Sequence, residues 1–102
     1  MYCLITSAAS AKAYQLKKQL SGCTVLLGDY QELPEVMLKA GQMLQLPAPQ
    51  SSSYAHLMLT LCLDKQIEQV HVLNANEAVL LKEAEQLVAE YGIKLMFYPY
   101  DL

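Results

Sequence analysis

The chain has 102 residues, of which 54% are hydrophobic and 17% charged, with a formal net charge of −3. That length suits one domain. A chain of this size buries roughly two thirds of the surface it exposes when unfolded, enough for a core without a metal or disulfide staple. High apolar content with low charge excludes a disordered segment. All seven basic residues are lysines, so neither a nucleic-acid-tracking cationic stripe nor the bidentate arginine fork of phosphate- and carboxylate-binding enzymes is expected.

The first ten residues, MYCLITSAAS, carry no basic run and only a short apolar stretch, unlike a secretory leader. The longest apolar segment, residues 57–63, falls far short of the ~18 residues that span a bilayer, so no membrane partner is expected. Cys3, Cys23 and Cys62 are odd in number, widely spaced and free of any CxxC pairing. They read as small buried hydrophobes in a reducing compartment, and a cytoplasmic location is expected.

Residues 2–6 (YCLIT) form a near-continuous apolar run, as in a parallel strand covered on both faces. Small residues at 7–10 make a turn. Residues 11–20 read as a helix with Ala13, Leu16 and Leu20 on one stripe and Lys12, Lys17 and Lys18 off it, stopped by Ser21 and Gly22. Residues 24–28 (TVLLG) are the second strand, ending at Asp29. Pro34 opens a short helix to Ala40, with Gly41 as terminator.

Residues 43–46 are a third strand, closed by Pro47, Ala48 and Pro49. Ser51, Ser52 and Ser53 offer N-caps for a helix reaching Asp64 or Lys65. Residues 69–73 (QVHVL) are the fourth strand. Asn74 and Glu77 have capping-box spacing, with Asn in place of Ser or Thr. One helix follows, burying Val79 or Leu80, Ala84, Leu87 or Val88, and Tyr91, with Gly92 just past its end. Residues 93–98 are the fifth strand, ended by Pro99. This alternation with short joins predicts a single α/β domain over residues 1–102: an open, mostly parallel, five-stranded Rossmann-like sheet with helices on both faces.

In such sheets ligands bind beyond the carboxyl ends of the strands. The first loop, TSAAS, lacks both the glycines of a dinucleotide fold and the Gly-Lys-Ser/Thr ending of a P-loop. Cys3 lies inside its strand, away from the loop where a thiol phosphocarrier needs it. Ser7 and Ser10 either meet an anion at the helix N-terminus or simply cap the helix. Asp29 occupies the place of a ribose-binding acid, yet without a glycine loop a solvated turn aspartate is expected. Asn74, Asn76 and Glu77 are the polar group after the fourth strand, with Glu77 read as a capping residue.

His71, in an apolar strand, reads as a satisfied core or rim histidine, and His56 has no second ligand at helical spacing, so no metal is expected. Tyrosines at 2, 30, 54, 98 and 100 suggest packing or an interface rather than nucleobase stacking. The candidate ligand-binding set is Ser7, Ser10, Asp29, Asn76 and Glu77. No local motif assembles a nucleophile with a base, so no catalytic residue, metal or cofactor is assigned.

The succession YCLITSAAS, a lysine-bearing helix, TVLLGD, a short helix and MLQLPAP resembles the N-terminal, pre-ATP-grasp domain of ATP-grasp ligases, nearest to carbamoyl-phosphate-synthase-like and biotin-carboxylase-like members. SSYAHLMLTLC, QVHVLNANEAVLL and EYGIKLMFYP continue the likeness over nearly the whole chain. Its strongest points are Ser7-Ala8, Asp29, Pro47, Glu77 and Tyr91-Gly92-Ile93. Where family members commonly carry Gly and Arg after the first strand, this chain has Ala9 and Ser10. Ala75 replaces an acid common two residues before Glu77. The family's ATP-grasp portion would follow Leu102. The resemblance therefore implies the fold without the activity.

Three functions follow as expectations. The first is a stand-alone, non-catalytic domain acting by association, with a second copy or with a separately encoded ATP-grasp protein. The second is a small-metabolite or anion-binding module at the carboxyl ends of the strands. The third, ranked last, is a catalytic piece of a split ligase. Residues 54–63 carry apolar side chains around far more than one stripe. Tyr54, Leu57, Met58 and Leu61 are accordingly expected at an interface, most simply a homodimer.

Overall fold

Strands and helices alternate as β1 (Tyr2–Ile5), α1 (Ala11–Gln19), β2 (Thr24–Asp29), α2 (Glu35–Lys39), β3 (Met43–Gln45), α3 (Tyr54–Asp64), β4 (Ile67–Val72), α4 (Ala75–Glu83), α5 (Glu85–Glu90) and β5 (Lys94–Phe97). The computed structural model describes residues 2–8, 10–20, 22–39, 41 and 43–98. Expectations that rest on Ala9, Ser21, Ala40, Pro99 and Tyr100 lie outside the described residues.

All strand pairs are parallel, in the order β3-β2-β1-β4-β5. The alternation of side chains along β1 separates two cores. Leu4 points to a face shared with Val70 and Val72, packed under α3, α4 and α5 through Met58, Leu59, Leu81 and Val88. Ile5 points to the other, with Leu27 and Met43, beneath Ala13 and Leu16 of α1 and Met37 of α2. Helices thus cover both faces, which is why the strands read as apolar runs. β4 begins at Ile67, two residues earlier than expected. Ile67 is buried against Tyr2, and a register shift between Tyr2 and Cys3 leaves exposed Glu68 unmatched.

The segment after Asn74 is two helices rather than one. At Ala84 the backbone N–H donates to Leu81 O at 3.0 Å, a tightened turn that ends α4 and starts α5. Leu80, Ala84, Leu87 and Val88 pack in or against the core as expected, joined by Ala78 and Leu81, while Val79 is 62% exposed and Tyr91 is exposed too. Gly92 closes α5 at φ 80°, with Ile93 N donating to Val88 O and Gly92 N to Ala89 O. This is a Schellman ending, and buried Ile93 and Val88 supply its apolar contact.

The expected interface on α3 is also corrected. Tyr54 and Met58 are each 2% exposed and belong to the core of their own chain, and Leu61 packs against that core. Leu57 and Leu63 stay exposed, but six residues apart they lie roughly 120° from each other around the helix. Exposed His56, Thr60 and Asp64 interrupt the surface between them. Among the described residues no helix is long and apolar enough to cross a membrane.

One close approach fixes the carboxyl end of β2. A Cβ at Gly28 would lie 2.8 Å from Leu46 Cδ2 and 2.9 Å from its Cγ, and Leu46 is buried. Gly28→Ala is expected to destabilise the chain by about 1–2 kcal/mol through overpacking, read as a lower urea midpoint at unchanged slope.

Candidate functional site

The strand order makes the chain leave β1 toward one edge and β4 toward the other, so a crevice opens between their carboxyl ends. Thr6 holds the two together just before they part. Its N–H donates to His71 O at 3.0 Å, and its hydroxyl accepts from Leu73 N at 2.9 Å. Ser7 then turns the chain at φ 57°, in the left-handed region, and Ala8 N donates to Gly28 O at 3.0 Å, carrying the loop over β2. Ser10 caps α1. Its hydroxyl donates to Ser7 O at 2.9 Å and accepts from Ala13 N at 3.2 Å.

Ser7, Ser10 and Asp29 come together here, with Tyr30, Gln31 and Asn74, around an open hollow of about 260 Å³. A second hollow of about 350 Å³ lies beyond Tyr30, lined also by Pro49, Gln50, Asn76, Val79 and Leu80. Asn76 therefore belongs to the neighbouring hollow, and Glu77 lines neither. Among the described residues no three His, Cys, Asp or Glu side chains are placed to hold a metal.

Asp29 is 5% exposed, which corrects the expectation of a solvated turn residue. Its Oδ1 accepts from Gln31 N at 3.1 Å. Beside it, Gln45 was not singled out in the sequence, yet it organises the whole loop after β2. Its Nε2 donates to the carbonyls of Asp29, Tyr30 and Gln31 at 3.2, 3.2 and 3.0 Å, and its Oε1 accepts from Leu33 N at 3.3 Å.

Glu77 is fully buried, and only half of the expected capping box forms. Asn74 Oδ1 accepts from Glu77 N at 3.0 Å, but the Glu77 carboxylate turns inward and accepts from the Tyr54 hydroxyl at 2.5 Å. Burial and the charge of Asp29 push the Glu77 pKa up, against the opposing pull of the Tyr54 hydrogen bond. Burial and the adjoining Glu77 push Tyr54 up as well. The smaller hollow thus has Asp29 in its wall, close enough to Glu77 for its charge to act on that carboxyl.

With this geometry in place, residues 3–96 match the family described as PylC-like, N-terminal domain. The chain belongs to that family, a pre-ATP-grasp-like domain of ATP-grasp ligases. Comparison with curated proteins gives no match.

In this PylC-like domain the residues of the earlier likeness take distinct roles. Ser7 turns the backbone, Asp29 walls the hollow, and Glu77 braces α4 on α3. Outside the hollows, buried His71 shares a 2.6 Å hydrogen bond between Nδ1 and the Tyr98 hydroxyl, while its Nε2 has no partner among the described residues. It is a half-satisfied core histidine whose pKa burial lowers.

Two expectations test the Tyr54–Glu77 brace. Tyr54→Phe strands Glu77 Oε2 in the core and is expected to cost about 1–3 kcal/mol by urea unfolding at pH 7. Glu77 has a raised pKa in the folded chain, so the native state holds this proton more tightly than the unfolded one. The stability it contributes is fully present below the ordinary value of 4.5 and is lost as pH rises through the folded value. The unfolding free energy of the native sequence should therefore fall relative to that of Glu77→Gln between pH 4.5 and 8, and paired urea titrations across that range measure it.

Proposed function

We propose that this domain is non-catalytic and works by docking on an ATP-grasp protein across the carboxyl edge of its sheet. The observation that carries this reading is how the polar side chains of that edge are engaged. Ser10 holds its own helix, Asp29 its own turn, Asn74 the start of α4, and Gln45 four backbone groups of one loop. These groups shape a surface. The larger hollow supplies an apolar wall of Tyr30, Pro49, Val79 and Leu80, with Val79 offered to solvent. Membership of the family is what supports an ATP-grasp protein as the class of partner. A second copy is the weaker occupant, because α3 turns Tyr54 and Met58 into its own core.

The smaller hollow favours a second reading, a binding site for a small metabolite, since Ser7, Ser10, Asp29 and Asn74 converge on it. With Asp29 in its wall, such a site would favour hydroxyl-rich or cationic groups over anions. A thermal-shift series over sugars, amines and carboxylic acids at millimolar concentration separates the two readings, because a ligand of the native state raises the melting temperature.

Calorimetric titration of the chain with Mg-ATP is expected to give no binding heat, and a micromolar dissociation constant would overturn the non-catalytic reading. Docking is read by sedimentation of the chain with an ATP-grasp protein of the same organism. Val79→Lys, at an exposed position, is expected to weaken association by about tenfold or more while leaving the urea midpoint in place. Unchanged association would remove the carboxyl-edge surface from consideration.

A further inference from the structure

Two of the three thiols meet at the amino end of the sheet. Tyr2 is registered against Thr24, and Cys3 against Val25. Cys3 lies on the face of Ile5, and Val25 packs with Ile5 and Leu27 on that same face. Cys23, two residues before Val25, has the same parity and lies diagonally across from Cys3. The Cys23 thiol lies near enough to Cys3 to act on its titration. Cys3 is wholly buried, and its Sγ also donates to Gln69 Oε1 at 3.5 Å. Cys23 is only half-buried, in the turn after Gly22, so it departs from the expectation of three buried hydrophobes. Cys62 sits apart, buried in α3 on the opposite face.

We propose that Cys3 and Cys23 form a redox-active dithiol that closes to an intrachain disulfide by exchange with a low-molecular-weight disulfide. Cys23 is the sulfur that solvent reaches, and as its thiolate it attacks one sulfur of the small disulfide. A bond forms from Cys23 Sγ to that sulfur, the small S–S bond breaks, and the departing thiolate takes up the proton Cys23 released. Cys3 then attacks Cys23 Sγ. The protein S–S bond forms, the mixed disulfide breaks, and the second small thiolate leaves with the proton of Cys3. The chain gives up two protons and two electrons, and one small disulfide becomes two small thiols.

The structure assigns different speeds to the two steps. Burial, with Cys23 beside it, pushes the Cys3 thiol up to about 12, so its attack is the slow one. A diagonal pair needs a small backbone adjustment to reach disulfide geometry. Gly22, at φ 81° next to Cys23, is where the chain yields most easily. The bridge would tie the start of β1 to the start of β2 and close a loop holding α1 and the Ser7–Ser10 turn. Oxidation at the amino end would thereby tether the floor of the hollow at the carboxyl end. This inference stands independently of the docking surface.

The test incubates the native chain with oxidised and reduced glutathione in graded ratio, followed by alkylation, intact mass and peptide mapping. The expected product is a monomer that takes up one alkyl group in place of three, a mass lower by roughly 2 Da before alkylation, and a Cys3–Cys23 cross-linked peptide, at unchanged far-ultraviolet circular dichroism. Cys62→Ser should keep the cross-link and Cys23→Ser should lose it. Cys3→Ala should stop at a glutathione adduct on Cys23. Three free thiols at every ratio, a lasting glutathione adduct on Cys23 of the native chain, or a bridge through Cys62 or between chains would each overturn the proposal.

Discussion

β1 is the strand on which the rest depends, because it is paired on both edges and buried on both faces. Cys3, Leu4 and Ile5 have no exposed surface, and the strand lies between β2 and β4 in the sheet. Period-two alternation assigns Leu4 to the α3–α5 core and Ile5 to the α1–α2 core, so four apolar residues in a row define both layers. A polar residue at either position would meet a dry core with no group to satisfy it. The same strand sets where the cleft begins. Thr6 extends the contact with β4 by one residue beyond the ladder, so divergence waits until Ser7.

Loops that leave a parallel sheet must satisfy their own backbone groups, and here side chains take that task. Gln45 is the clearest instance. Its two Nε2 hydrogens are shared among three carbonyls while its oxygen holds Leu33 N, so one residue at the end of an edge strand replaces a turn of regular structure. Asp29 and Ser10 act similarly on shorter spans. The loops that wall the smaller hollow are thus tied down by side-chain hydrogen bonds at Ser10, Asp29 and Gln45.

What the sequence made legible follows from the range of the interactions involved. Strand and helix positions rest on local periodicity and stop signals, and the fold class was readable because the βαβ rhythm is local. Ser10 as N-cap and Gly92 as helix end were readable for the same cause. The break at Ala84 carries no proline or glycine, so nothing local announced it. Asp29 looked solvated because Ser7, Ser10 and Asn74, which share its hollow, are distant in sequence. Glu77 looked like a capping residue because Tyr54, which draws its carboxylate inward, lies 23 residues away on another helix. The diagonal placement of Cys3 and Cys23 depends on the β1–β2 register, which spacing alone does not give.

Among the described residues two buried side chains, one on each face of the sheet, keep an atom without a partner: Glu77 Oε1 and His71 Nε2. Each is held by one short bond to a tyrosine from another element, Tyr54 on α3 and Tyr98 just past β5. A buried polar group left half-satisfied is costly, and apolar side chains of equal shape would often serve stability as well. What the polar pairs add is direction. A tyrosine hydroxyl meets its acceptor in one geometry, so Tyr54 fixes how α3 lies on α4, and Tyr98 fixes the end of the edge strand against β4. Apolar contacts alone allow those two outer elements to slide. Both pairs sit toward the carboxyl end, where the ladder stops constraining the chain and the walls of the hollows begin.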